Sequence, residues 1–408
     1  VAALRNREMG NFLNLVYDTL NVTKEEVTNY MDTYVGFSDY KVFHINEIPN
    51  NDEKYYYFFE YRYYLTSYIV AEKKLPFNNL VLDLLKTNPN FNLIIKNDAE
   101  SDDDILIESL DSIFKNIGID TNKIVVINCN ERNLDLKQRL KTNIKTQTTN
   151  NGKWAIAKLL TQFPYEYKID RSSLFMTYNR NVKIHRFALL ARLMKHGIID
   201  NVDWSWIRGY EVRNHFLPLD VDIHDCWFLK PLFTDDEIKE CEKEITELAN
   251  IDIKKSVNEK DYEVDFPPYR FDWDASYSNN PYSYSYINIV TETNFDKDDI
   301  IILSEKSFIP LYYSQIPIIM ASTNHIKKMR DLYGFDFFDD VVNHDYDSEP
   351  NPKKRFEMII NEVIRLNNKK EEIVNFFKEN KERFDNNIKI FEKIKTDKTD
   401  YNFYNSLR

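Results

Sequence analysis

The stretch Tyr286 to Ser322, YINIVTETNFDKDDIIILSEKSFIPLYYSQIPIIMAS, decides how this chain is read. It predicts a buried strand ending at Thr291-Glu292-Thr293, an acidic loop, and a second strand from Ile300 to Leu303. Ser304-Glu305-Lys306 then opens a short helix, and Ile316 to Ala321 forms a third apolar strand. Runs of β-branched residues without polar alternation are the mark of parallel strands covered on both faces. A helix start presents free N–H groups and a partial positive charge, which suit a phosphate. Lys306 adds a mobile cation, and Glu305 can accept hydrogen bonds from sugar hydroxyls. Such a site fits a ligand carrying both phosphate and hydroxyl groups. Taken alone, Ser-Glu-Lys is an ordinary helix opening. Here apolar strands bracket it, and Glu292 ends the preceding one.

The composition bounds the alternatives. A chain of 408 residues, 43% apolar with 27 Tyr and 27 Phe, is long enough for two domains with substantial cores. No uncharged apolar window of spanning length occurs, so no membrane span is expected. The opening residues VAALRNREMGNFLNL lack the basic-then-apolar layout of a secretion signal, although the first residue is not Met. Cys129, Cys226 and Cys241 are too scattered for a disulfide framework or a CxxC metal site, and a cytoplasmic location is the simplest expectation. A formal charge of −12 disfavours nucleic acid as a nonspecific partner. Only seven glycines are present, at positions 10, 36, 118, 152, 197, 209 and 334. None are spaced as GxGxxG or a P-loop, so side chains and a helix start must hold any phosphate.

Upstream, Asn92–Lys96 and Lys123–Asn128 read as strands around a helix from Ile105 to Ile117. Strand, helix, strand is a βαβ pattern and implies a parallel sheet. The acidic run Ser101–Asp104 reads as the helix start rather than a metal site. Lys141–Lys153 is polar and reads as a surface loop. Trp154–Phe163 reads as a helix that Pro164 ends. The organisation expected is an N-terminal α/β acceptor-side domain over 1–168, a donor domain over 169–350, and a helical C-terminal segment over 351–408. In that segment Phe356, Ile359, Ile360 and Val363 form one apolar stripe, and Ile373, Phe377, Phe384, Ile388 and Phe391 a second, suggesting two helices.

The second candidate stretch is FMTYNRNVKIHR, Phe175 to Arg186. A strand, Leu174 to Tyr178, runs into a loop bearing Asn179 and Arg180, before a helix from Lys183 to Ile199 that carries His185 and Arg186. Loops at the carboxyl ends of parallel strands are where open α/β sheets bind ligands. Arg180 and Arg186 there suit bidentate clamping of a diphosphate, with Arg186 alternatively on the solvent side of its helix. Asp272-Trp273-Asp274 and Asp220-Val221-Asp222 match the DxD pattern of some metal-dependent sugar-nucleotide enzymes. Neither follows a clear apolar strand, and in a chain with 66 acidic residues the pattern arises easily by chance.

These motifs resemble the donor site of the α-1,3-fucosyltransferase family. Thr291-Glu292-Thr293, Ser304-Glu305-Lys306 and Ile316-Pro317-Ile318-Ile319 correspond to its E-N-S, T-E-K and V-P-V-V elements. They look closer still to a group of viral and phage glycosyltransferases that share an N-R-x-x-x-x-H-R loop, matched by Asn179, Arg180, His185 and Arg186. That group also has a G-F-x-x-F segment, matched by Gly334, Phe335 and Phe338, and a D-x-Y-D element, seen here as His344-Asp345-Tyr346-Asp347. The resemblance spans Leu174 to Leu366. It implies an α/β fold of GT-B type, two Rossmann-like domains facing a cleft with C-terminal helices, and a viral protein acting in the host cytoplasm. It implies transfer of a sugar from a nucleotide-sugar donor, a GDP-sugar being favoured, to a glycan or glycoprotein acceptor. No metal would be required if Arg and Lys carry the charge. By that likeness Glu305 would bind the ribose, Lys306 the diphosphate, and Glu292 the sugar or its surroundings. Arg180 or Arg186 would neutralise the leaving group, with Asn179, Thr293 and Ser304 lining the site. The catalytic base would come from the N-terminal domain and is not assigned. Two departures stand out: Ser304 replaces the usual Thr, and Ser314-Gln315 stands where the family has glycine. Fucose itself is therefore not secured. The rival readings are a non-catalytic, partner-binding protein on the same fold, and an enzyme that glycosylates DNA bases.

Overall fold

The computed structural model describes residues 12–35, 37–49, 51–61, 67–97, 103–128, 130–131, 142–148, 165–179, 183–207, 229–251, 253–254, 281–296 and 301–407. The chain divides into two compact units, Val1–Trp154 with Thr396–Arg408, and Ala155–Lys395. The expected 1–168, 169–350 and 351–408 organisation thus differs from the contact division. Residues 165–168 lie in the second unit. Most of the C-terminal helical segment also belongs there, and its last helix belongs to the first.

In the first unit the elements run β1 (Leu13–Tyr17), α1 (Lys24–Asn29), β2 (Tyr40–His44), β3 (Tyr55–Tyr61), α2 (Asn79–Thr87), β4 (Phe91–Asn97), α3 (Asp103–Asn116), β5 (Ile124–Asn128) and β6 (Lys145–Thr148). They form a six-stranded sheet in the order β2-β1-β3-β4-β5-β6, parallel throughout. Successive strand residues point to opposite faces, and both faces here are covered. Tyr57, Phe59, Leu93, Ile95 and Val126 pack with Val81, Leu85, Leu110 and Phe114 of α2 and α3. On the other face, Leu13, Leu15, Tyr56, Phe58, Ile94 and Val125 pack with Val27 of α1 and with Tyr404 from the C-terminal helix Thr399–Leu407. The expected loop over Lys141–Lys153 contains β6. Its sequence KTQT has no apolar run because it is a half-exposed strand at the sheet's edge, where polar residues and lysine are favoured.

In the second unit the elements are β7 (Ser173–Asn179), α4 (Ile184–Lys195), β8 (Val202–Ile207), α5 (Asp235–Glu240), α6 (Glu242–Ala249), β9 (Ile253–Lys254), β10 (Ser285–Thr291), α7 (Glu305–Tyr312), β11 (Ile316–Met320), α8 (His325–Tyr333), α9 (Pro352–Asn367), α10 (Lys370–Glu379) and α11 (Lys381–Lys395). The sheet order is β9-β8-β7-β10-β11, with only β9 antiparallel. Strand β10, flanked on both sides by β7 and β11, is buried at every residue, which explains its uninterrupted apolar reading. Pro317 is tolerated in β11 because that strand lies at the edge of the sheet. Of the strand expected over Ile300–Leu303, Ile301–Ile302 is a strand and Leu303 is not, and Ile300 lies outside the described residues. Where two terminal helices are expected, α9, α10 and α11 break at Asn368 and Asn380 and bury Phe356, Ile359, Val363, Ile373, Phe377, Phe384 and Phe391.

Each sheet has a point at which chain order reverses direction. In the second unit the chain moves from β7 outward to β8, then returns to place β10 on the other side of β7. In open α/β sheets the crevice beyond the carboxyl ends of the strands at this point is the usual ligand position. Among the described residues no helix is long and apolar enough to cross a membrane.

Candidate functional site

The carboxyl ends of β7 and β10 meet at that reversal, and polar side chains stitch them together. Thr291, the last residue of β10, donates its hydroxyl to Asn179 Oδ1 of β7 at 2.7 Å. Asn179 Nδ2 in turn donates to Thr177 Oγ1 at 3.2 Å. Helix α4 follows β7 and directs its first turn at the tip of β10. Arg186 Nη2 donates to the Thr291 carbonyl at 3.0 Å, and His185 Nε2 donates to the Glu292 carbonyl at 2.8 Å. Arg186 therefore does not occupy a solvent-facing position on its helix; it is 5% exposed and braces the strand end. Burial, then the neighbouring Arg186 charge, push the His185 pKa down to about 3, so its imidazole is neutral at physiological pH.

Glu292 is the centre of the arrangement. Its backbone N–H reaches Met320 O of β11 at 3.0 Å, continuing the strand pairing one residue beyond β10. Its carboxylate points to the start of α7 and is 3% exposed. Ser304 Oγ lies 2.9 Å from Oε1 and 2.8 Å from Oε2. Ser304 is also the N-cap of α7, accepting from Lys306 N at 3.2 Å. Ser307, one turn further, donates its hydroxyl to Oε1. The Lys306 ammonium stands 3.7 Å from Oε2 with its side chain 34% exposed. Burial alone would raise the Glu292 pKa. The charge of Lys306, with His325 and the hydroxyls of Ser307 and Ser304, outweighs burial and holds the carboxyl below its ordinary value.

A second layer supports this one. Ser307 Oγ is 2.8 Å from His325 Nε2, at the first residue of α8. Asn324, just before that helix, is left-handed with φ 62° and provides no side-chain cap. Asp347 provides it instead, accepting from Ile326 N and Lys327 N, each at 2.9 Å. Arg355, 1% exposed, ties the loops after β10 and β11 together. Its guanidinium donates to Thr323 Oγ1 at 2.7 Å and to the carbonyls of Phe295 and Glu349.

The structure thus brings Asn179, Arg186, Glu292, Ser304 and Lys306 into one place. Thr293 and Glu305 are half-buried beside them, and among the described residues Glu305 takes no hydrogen-bond or ion-pair partner. Arg180 lies outside the described residues, as do both DxD motifs and the expected helix Trp154–Phe163. Among the described residues no group of three or more His, Cys, Asp or Glu is arranged to hold a metal ion. His344 is buried, with Nδ1 against Tyr346 Oη and Nε2 donating to Phe337 O, each at 3.0 Å, which is a structural role. Ser307, the part His325 plays and the cap made by Asp347 are not among the residues expected from the sequence. Only Ser307 had a local signal, a hydroxyl one helical turn after an N-cap serine.

Against protein-family models, curated proteins and solved structures, the chain finds no match.

Proposed function

We propose that the second unit binds a nucleotide-sugar at the reversal point of its sheet, and that the protein transfers the sugar to a hydroxyl acceptor. The observation that carries this reading is the partly exposed Lys306 ammonium, set at the start of α7 beside a buried, ionised Glu292 at the tips of β7 and β10. Position, cation and helix N-terminus all favour an anionic ligand there. Glu305, half-buried and beside Lys306, is suited to accept hydrogen bonds from ribose or sugar hydroxyls. Glu292 takes a different part from the sugar contact implied by the resemblance. Its oxygens are occupied by Ser304 and Ser307, so it acts as the anchor for Lys306.

Breaking a sugar–phosphate bond develops negative charge on the departing diphosphate. A fixed ammonium and helix N–H groups that meet this charge stabilise the transition state more than the bound substrate. A diphosphate at Lys306 would meet a cation already oriented by Glu292, which lowers the ordering cost of binding. The GDP-sugar preference and the glycan or glycoprotein acceptor rest on the motif resemblance.

The test is a thermal-shift panel of GDP-, UDP- and CMP-sugars on wild type and Lys306→Ala, with and without EDTA. Stabilisation of wild type by one nucleotide class, lost in Lys306→Ala and unaffected by EDTA, is expected. A panel in which no nucleotide-sugar shifts the wild type would sink the reading.

A further inference from the structure

Ser307 and His325 do work at this site that the ligand reading by itself does not require. Ser307 is 0% exposed and His325 1%. The hydroxyl lies between the Glu292 carboxylate and the His325 imidazole, 2.8 Å from His325 Nε2. A nucleophilic triad places the imidazole between hydroxyl and carboxylate, so that the imidazole removes the hydroxyl proton. Here the hydroxyl is in the middle and closed to solvent, which rules out that use and leaves a relay of hydrogen bonds.

The direction of the relay follows from counting protons. A serine hydroxyl has one proton to donate. Glu292, ionised, can only accept, so the Ser307 proton goes to Oε1. The Ser307 oxygen then needs a donor, and the facing atom is His325 Nε2. The imidazole is therefore protonated on Nε2. The opposite tautomer would draw the Ser307 proton toward the ring and leave Oε1 without it. With Oε1 engaged from behind, Oε2 is the oxygen turned toward Lys306, at 3.7 Å.

We infer that Ser307 and His325 are positioning residues for the Lys306 ligand contact, acting through a one-way chain from His325 Nε2–H to Ser307 Oγ–H to Glu292 that fixes which carboxylate oxygen meets the ammonium. The inference rests on the reading of Lys306 as the cation that meets the ligand's phosphate. The chain explains why a serine is placed inside a helix against a carboxylate. It also explains why the first residue of α8 is a histidine although Asp347 already caps that helix.

The experiment measures GDP affinity by calorimetry in wild type, Lys306→Ala, Ser307→Ala, His325→Gln and His325→Asn, with the imidazole ¹⁵N spectrum of the wild type. Glutamine places an N–H where Nε2–H was, and asparagine does not reach it. Ser307→Ala and His325→Asn are expected to weaken GDP binding about tenfold, the loss of roughly one charge-assisted hydrogen bond. His325→Gln is expected to bind within about twofold of wild type, a rescue that a space-filling role would not produce, on a scale where tenfold is about 1.4 kcal/mol. The spectrum is expected to show the Nε2–H tautomer. If GDP binding depends on Lys306 yet Ser307→Ala and His325→Asn bind as wild type does, the positioning inference alone falls. An Nδ1–H tautomer overturns it equally, whatever the affinities. If wild type binds none of GDP, UDP and CMP, the Lys306 reading falls and the positioning role with it; if it binds UDP or CMP in place of GDP, the same variants are expected to show the same losses with that nucleotide.

Discussion

Replacing Glu292 tests the structural core of the site independently of any ligand. The carboxylate and the Lys306 ammonium are 3.7 Å apart. At an effective dielectric constant of about 20, their attraction is roughly 4 to 5 kcal/mol, before discounting for the partial exposure of the lysine. Burying the carboxylate costs several kcal/mol, so the pair by itself comes out near zero. The hydroxyl bonds from Ser304 and Ser307 then decide the net effect, each worth about 1.5 to 3 kcal/mol to a charged acceptor. Glu292→Gln keeps one acceptor oxygen and sheds the desolvation cost, so a loss of about 1 to 2 kcal/mol is expected. Glu292→Ala takes the charged acceptor from two buried hydroxyls, and about 3 to 5 kcal/mol is expected. The assay is hydrogen exchange of the β10 and β11 amides across a urea series, which reports the second unit alone. An alanine variant within about 1 kcal/mol of wild type would refute the reasoning, because two buried hydroxyls that lose a charged acceptor cost more than that.

Three further outcomes follow from the same contacts. His185, His325 and His344 are buried with lowered pKa values, so each contributes stability that is complete above the ordinary histidine value and lost as the pH falls below it. For His185, at about 3, the penalty at pH 4.5 is about 2 to 3 kcal/mol, and His185→Gln should flatten a plot of Tm against pH between 6.5 and 4.5. Arg355→Met leaves the carbonyls of Phe295 and Glu349 without their guanidinium, and chemical denaturation should give a loss of about 3 kcal/mol or more. Asp347→Ala removes the cap of α8 at a cost of about 1 to 2 kcal/mol, while Asp345→Ala, exposed two residues away, should change Tm negligibly.

The second unit was legible where local chemistry and topology coincide. β7, β10 and β11 are buried apolar runs, and Glu292, Ser304 and Lys306 fall within a short span of one another, so their meeting needed only a strand, a loop and a helix start. Ser307 with His325, and Asp347 with the start of α8, depend on where β11 and a left-handed Asn324 deliver the next helix, and no local pattern encodes that. In the first unit only β4 and β5 of the six strands are expected from the sequence. The aromatic run Tyr55–Tyr61 is a central strand whose tyrosines hide its apolar character, and β6 is too polar to be read as a strand at all.

The C-terminal helix Thr399–Leu407 sets the order in which the molecule can be completed during synthesis. The second unit is one uninterrupted piece of chain, Ala155–Lys395, and can close on its own core once that piece is made. The first unit cannot, because Tyr404 packs against the face formed by Leu13, Leu15, Tyr56 and Phe58, and Leu407 O accepts from the Tyr56 hydroxyl at 3.0 Å. Domains made first on the ribosome generally fold first. In this protein the amino-terminal sheet keeps one face uncovered until Thr399–Leu407 emerges.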